Sequence, residues 1–276
     1  MLTSERIERW LREDIGHHDV TNEVPGETTG RLVANEDGIV AGTEAAAAVF
    51  EYLDVTTDTP VADGEAVAAG DTVLRTTGPA RETLRAERLA VNLAGHASGI
   101  ATKTRQAVDR AEEIDPEIRI AGTRKTTPGL RGIEKRAVAA GGGDTHRLDL
   151  SHMVMIKDNQ IAELGLETAV ETFRERVSFA TKIEVEAESA AQACRAVAAG
   201  ADIVLLDNFS PEELSDTVDS LANPIETADR EVLVEASGGI TLDTVADYAA
   251  TGIDIISMGS LTHSADSLDY SFRTGE

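Results

Sequence analysis

The chain has a single cysteine, five lysines and only 3% aromatic residues in 276 positions. Each scarcity excludes something. One thiol, Cys194, cannot form an internal disulfide and suits a reducing cytoplasm. Within AAQACRAVAAG it reads as a small buried helix residue rather than a nucleophile. No apolar run reaches the roughly 18 residues of a membrane span. The N-terminal stretch MLTSERIERWLREDIG is charged and lacks the apolar core of a signal peptide.

Positive charge is scarce as well. Twenty-five Lys and Arg face fifty Asp and Glu, a formal net charge of -25. The acids are scattered, as in the solvated coat of a salt-adapted cytosolic protein, whose self-repulsion is screened at high ionic strength. General nucleic-acid binding needs an extended basic face and is excluded. A hydrophobic fraction of 41% is enough for a core, which argues against disorder.

Against that background one window stands apart. Between Arg124 and Lys157 lie seven Lys and Arg and only three acids, with His146 and His152 in addition. Three of the five lysines, Lys125, Lys135 and Lys157, fall there. A basic pocket in an acidic shell points to a small anionic ligand.

The chain divides into two grammars. Residues 1–107 mix helix and strand signals: ERIERWLREDI has helical apolar spacing, and short apolar runs broken by Gly and Asp follow. The pattern DGEAVAAGDTV is reminiscent of biotinyl or lipoyl carrier modules. No lysine precedes Lys103, however, so only the scaffold reading survives. A long helix, ETLRAERLAVNLAGHASGIATKTRQAVDRAEE, comes next, its small residues suited to close packing. Residues 108–267 repeat strand, loop and helix, and the tail 268–276 is expected to pack on the first domain.

The six predicted strands are 118–122, 152–157, 181–186, 202–207, 231–237 and 253–259. They are apolar runs rather than alternating ones, as parallel strands covered on both faces are. Such β-α repeats predict a parallel sheet, doubly wound or closed into a barrel. No GxGxxG follows a strand, so the dinucleotide-binding version lacks its signature. Useful side chains follow each strand: Arg124 and Lys125, Lys157, Glu186, Asp207, Ser237 with Gly238, and Gly259. In (β/α) barrels those ends converge on one mouth, with a phosphate site after the last two strands. SGGI and MGSLTHS would offer helix N-termini to that phosphate.

Each motif also has a plainer reading. Arg124 and Lys125 could form a solvated charge run, and GGG in GGGDTHRLDL a flexible loop. His146 and Arg147 suit a carboxylate. No HxH, HxxxH or cysteine partner supports metal ligation by His146. Glu184 and Glu186 alternate in IEVE and share a face, which alone would read as a surface strand. Asp207 ends a buried strand, where a carboxylate is costly without a partner. Two carboxylates beside a phosphate site suggest Mg²⁺. His263 could assist the phosphate or cap a helix, and His17 and His18 read as structural or surface residues.

Together the blocks EDIGHHDVT, ERLAVNLAGHASGIAT, TRKTTPGLR, GGGDTHRLDLSHMVMIKDN, KIEVE, LLDNF, EASGGI and ISMGSLTHS resemble the quinolinate phosphoribosyltransferase family, in its order and over nearly the whole chain. The resemblance implies an α/β fold: an N-terminal α/β open sandwich followed by an incomplete TIM-like α/β barrel. It also implies Mg²⁺ and a homodimer, with a hexamer of dimers left open. The implied substrates are quinolinate and 5-phosphoribosyl 1-pyrophosphate, and the products nicotinate mononucleotide, pyrophosphate and CO2.

By motif, Arg124, His146, Arg147 and Lys157 match the groups that hold the quinolinate carboxylates, and Lys125 the lysine at the pyrophosphate. Glu186 and Asp207 match the acids near the ribose and Mg²⁺; Glu186 is preferred to Glu184 on the family's spacing. Ser237, Gly238, Gly259 and His263 match the 5-phosphate loops, and Arg88 the arginine that reaches the neighbouring subunit's site. Gly122 and His18 depart from the family's usual aspartate and glycine. Other readings are a molybdenum-associated paralogue acting on another acid, a Schiff-base barrel lyase using Lys157, and a non-catalytic anion binder.

Overall fold

ERIERWLREDI forms the helix its spacing predicts. In the computed structural model, which describes residues 2–275, this is α1 (Ser4–Ile15), with Ile7 and Leu11 on its buried face. The short apolar runs after it become β1 (Glu27–Ala34), β2 (Gly38–Ile39), β3 (Thr56–Asp58), β4 (Ala66–Val67) and β5 (Thr72–Pro79), with α2 (Thr43–Tyr52) between β2 and β3. The long helix is α3 (Ala80–Glu112), and the last strand of the chain is β12 (Tyr270–Thr274).

β12, β1, β5 and β3 form one antiparallel sheet in that order. The C-terminal strand therefore completes the N-terminal sheet. Phe50 of α2 stacks on Phe272 of β12 with ring centroids 5.4 Å apart. Gly30 lies beneath the Phe272 ring, where a Cβ would collide with it. The small residues of α3 serve the close packing expected of them: a Cβ at Gly99 would run into the backbone of Asp266 and Ser267.

By contacts the chain falls into two units. The first comprises the chain up to Arg105, Thr127–Gly142 and the segment from Leu261 onward; the second comprises Gln106–Thr126 and Gly143–Ser260. Thr127–Gly142, which the sequence groups with the barrel, thus joins the first unit. The reason is α4 (Arg131–Ala140), whose buried Glu134 bonds to His96 of α3. Gly141, just beyond α4, comes so close to Ala101 and Thr104 of α3 that no Cβ would fit.

The second unit holds the six strands read from the sequence. They are β6 (Arg119–Ala121), β7 (Val154–Ile156), β8 (Ile183–Ala187), β9 (Ile203–Asp207), β10 (Leu233–Ser237) and β11 (Ile255–Ser257). All pair in parallel, in the order β6-β11-β10-β9-β8-β7. That order is a ring taken in sequence, open between β6 and β7. At the opening, Asp144 pairs with Ala121 in an isolated parallel bridge.

The helices α5 (Asp158–Leu164), α6 (Leu166–Arg176), α7 (Ala190–Ala199), α8 (Pro211–Glu226) and α9 (Val245–Ala249) alternate with these strands, and α10 (Ser260–His263) follows β11. α8 begins with a capping box: the Glu213 N–H donates to Ser210 Oγ, and the Ser210 N–H to the Glu213 carboxylate at 2.8 Å. Every residue of β9 but Asp207 is buried, as a strand covered on both faces must be. Cys194 is half-buried on α7 rather than fully buried. Among the described residues no helix is long and apolar enough to cross a membrane.

Candidate active site

Parallel strands in register bring their C-terminal ends level. Ser237 pairs with both Asp207 and Ser257, and Ser257 with Ala121. Because side chains alternate along a strand, every second residue faces the same way. Glu186, Leu205 with Asp207, Glu235 with Ser237, and Ser257 accordingly line one cavity of about 350 Å³. Its other walls come from the segments after β6 and around β7: Thr123, Arg124, Lys125, His146, Arg147, Met155 and Lys157. Five cationic side chains thus face acids across one cavity in a strongly acidic protein.

The cations are held in different ways. Lys157 Nζ forms an ion pair with Glu186 Oε2, and Lys157 is also the N-cap of α5. Arg147 is buried; its Nη2 donates to the Met155 sulfur at 3.1 Å, and its Nε has no acceptor in the protein. Burial lowers its pKa, as does the neighbouring Arg124, while Glu184 opposes them. Arg124 Nε also lacks an acceptor. Buried guanidinium N–H groups without acceptors are costly unless a ligand supplies them.

His146 is the most constrained. It occupies the left-handed region at φ 49°, held there by its N–H bond of 2.6 Å to Asp144 Oδ1. Asp144 is in turn fixed beside β6, its N–H on the Ile120 carbonyl and its own carbonyl accepting from Gly122. The imidazole Nε2 lies 3.1 Å from Glu235 Oε2 and 3.4 Å from Glu184 Oε2. Burial would lower the imidazole pKa, but the carboxylates of Glu184 and Glu235 beside it outweigh that and raise it to about 10. Glu184 moves up, through burial first and then the charge of Glu235.

Asp207 Oδ2 accepts from Asn208 Nδ2 at 2.7 Å, and the Asn208 N–H donates to the Ser237 carbonyl. Asn208 adopts φ 61° and fills the space beside Gly238. Gly238 has φ 108°, and a Cβ there would collide with Asn208, so glycine is required on both counts. The loop that follows β10 approaches the neighbouring strand end as closely as backbone permits.

The family model for the quinolinate phosphoribosyl transferase N-terminal domain matches residues 14–98, and that for the C-terminal domain matches residues 100–273. The chain belongs to the quinolinate phosphoribosyltransferase family. It is 46% identical to a probable nicotinate-nucleotide pyrophosphorylase [carboxylating] of Methanothermobacter thermautotrophicus, over 97% of both chains. The human nicotinate-nucleotide pyrophosphorylase [carboxylating] is 40% identical, over 97% of this chain and 90% of its own. The crystal structure of NadC from Streptococcus pyogenes superposes with a TM-score of 0.90 at 38% identity, covering 100% of this chain and 98% of that one.

Of the residues singled out in the sequence, Arg124, Lys125, His146, Arg147, Lys157, Glu186, Asp207 and Ser237 meet in the cavity wall. Gly238 lies outside the wall, next to Ser237 and packed against Asn208. Gly259 lies between β11 and α10, outside the wall. Arg88 and His263 belong to the first unit. Arg88 is exposed near Glu87, and His263 Nδ1 bonds to Ser264 Oγ at 2.6 Å.

One reading is overturned. Glu184 is fully buried, not part of a surface strand, because its strand faces the ring interior. Glu235 was missed altogether. Its signal was available: an acid inside the apolar run EVLVEAS, two residues before Ser237 and on the same face.

Proposed function

We propose that this protein transfers the phosphoribosyl group of 5-phosphoribosyl 1-pyrophosphate to quinolinate, releasing pyrophosphate and CO2 and giving nicotinate mononucleotide, as a cytoplasmic step of NAD synthesis. One observation carries the reading: five cations and two strand-end carboxylates share one cavity, in a chain whose relatives are named nicotinate-nucleotide pyrophosphorylase [carboxylating].

Quinolinate is a dianion. In this reading Arg124, His146, Arg147 and Lys157 hold its carboxylates, and the two guanidinium groups find their missing acceptors there. Lys125 meets the pyrophosphate. Ser237, Gly238 and Gly259 hold the 5-phosphate. The bond from ribose C1 to pyrophosphate breaks with its electron pair leaving on oxygen, and positive charge builds on the sugar. Glu186 and Asp207 stabilise that charge, as carboxylates do in glycoside cleavage.

The ring nitrogen supplies the pair for the new bond to C1 and becomes a pyridinium. The adjacent carboxylate then leaves as CO2; its bonding pair stays on the ring, stabilised by the pyridinium, and takes a proton. Positioning and electrostatics suffice, with no covalent nucleophile.

Glu186 and Asp207 also fit Mg²⁺. Both are oxygen donors at the open mouth, and among the described residues they belong to no closed three-ligand cage, as suits an ion that shares few carboxylates with substrate oxygens. When bound, the ion would neutralise pyrophosphate charge. The arrangement we propose is a homodimer, possible as a hexamer of dimers, in which Arg88 of one subunit completes the site of the other. The exposed Arg88 side chain is consistent with that role.

The test is stoichiometric. Protein with both substrates and Mg²⁺ should yield nicotinate mononucleotide, pyrophosphate and CO2 in equal amounts. Absence of all three from folded protein overturns the reading.

A further inference from the structure

Two acids have no part in the proposed reaction: Glu235, which lines the cavity, and Glu184, which meets the same histidine. Glu184 and Glu235 are both fully buried, on strands β8 and β10, and both point at His146 Nε2. Both Glu184 oxygens and Glu235 Oε1 have no hydrogen-bond partner in the protein. Two buried carboxylates aimed at one site are expensive unless a positive charge compensates them. Among the described residues, the only three His, Cys, Asp or Glu side chains with donor atoms all within 4.8 Å of one another are these.

Several elements surround the ring. Glu184 reaches it from β8 and Glu235 from β10; Asp144 holds its backbone from its own loop. Arg147, its neighbour in that loop, and Arg124 after β6 line the same cavity and are positive. Both would repel a charged imidazole and favour a neutral one. The two carboxylates are what oppose them.

We propose that Glu184 and Glu235 are positioning residues that clamp His146 by its Nε2 edge and hold it as a cation for the substrate carboxylate. This inference rests on the proposed function, since it assigns the clamp to the quinolinate subsite. A left-handed backbone at His146 directs the ring, and the paired acids fix its tilt and its charge. Neither acid touches the reacting atoms. Without the clamp, burial of the ring, in a cavity that also holds Arg124 and Arg147, would drive the proton off it, and one of the carboxylate contacts would be lost.

The test combines ring spectroscopy with binding. In full-length protein labelled with ¹⁵N-histidine, six rings are present, and the His146 signal is assigned by its loss in His146→Gln. The wild-type His146 ring should carry both N–H protons throughout the range from about pH 6 to about pH 8.5, where an ordinary histidine becomes neutral. In Glu235→Gln it should titrate within that range. Quinolinate binding measured alone by calorimetry at about pH 8 should weaken about tenfold or more, the loss of one charge-assisted contact. KM for 5-phosphoribosyl 1-pyrophosphate should change less than about twofold, and Glu235→Asp should restore part of the binding.

A neutral wild-type ring at about pH 8 overturns the clamp, and needs no variant that might misfold. So does a folded Glu235→Gln that binds quinolinate as the wild type does. Stoichiometric binding of Zn²⁺ or Mn²⁺ that strips the ring proton would also overturn it, making the three groups a metal site. If the wild type neither binds nor turns over quinolinate while its His146 ring is cationic, the proposed function fails and the buried ion triad stands.

Discussion

Lys157 and Glu186 stand side by side at the ends of β7 and β8, one step beyond the Ile156–Val185 pair, and their side chains form an ion pair. The lysine proposed to hold a substrate carboxylate is therefore already matched to the acid proposed to steady the sugar. In the proposed reaction, substrate binding would exchange that partner. Lys157→Ala, and likewise Arg147→Ala, should leave the fold intact and cost about 2–4 kcal/mol of transition-state stabilisation, on the order of 30- to 1,000-fold in kcat/KM. Turnover near that of the wild type in either variant would remove the residue from the site.

The fold was legible because parallel strands announce themselves. IVLLD and IIS are apolar runs with acids or glycines close by on either side. The cations after the strands were legible for the same reason, since loops at strand ends have one mouth to converge on. Glu184 and Glu235 were not. IEVE reads the same on a solvated strand as inside a ring, and the partner that makes its burial tolerable, His146, is supplied by a distant loop. The place of α4 was hidden likewise, because the Glu134–His96 bond joins positions 38 residues apart.

That bond leads to a stability prediction. Glu134 is fully buried, accepts from the Thr127 N–H at 3.0 Å and lies 2.9 Å from His96 Nε2. Burial alone would raise its pKa, but the His96 and Thr127 bonds lower it overall. A carboxyl whose folded pKa lies below the unfolded value stabilises the fold above that unfolded value and loses the contribution as the pH falls through the folded one. Glu134→Ala should cost about 2–4 kcal/mol and lower Tm by roughly 5–10 °C at neutral pH. The gap from wild type should narrow below about pH 4, and a constant gap would show that the charge is not what matters.

Salt should also move stability. With twice as many acids as bases, the folded chain repels itself at low ionic strength. Tm should rise markedly between about 0.1 M and about 2 M KCl, where screening is nearly complete. A flat Tm would mean that the acidic coat is neutral to stability and would remove the case for salt adaptation.

A site shared between subunits, as proposed for Arg88, predicts complementation between inactive variants. Arg88→Ala and Lys157→Ala dimers should each be nearly inactive. Unfolding and refolding them together gives about half heterodimers, each with one doubly damaged site and one intact site. Activity should return to roughly a quarter of wild type. No recovery, with heterodimers verified by mass spectrometry, would place Arg88 in its own chain's site or in none.

The most direct measurement follows the two carboxylates of quinolinate separately. Carbon labelled in the carboxylate next to the ring nitrogen should be released as CO2 only when 5-phosphoribosyl 1-pyrophosphate is present. Carbon labelled in the other carboxylate should appear entirely in nicotinate mononucleotide. Efficient use of nicotinate in place of quinolinate, without CO2 release, would contradict the account, as would release of the label without the second substrate.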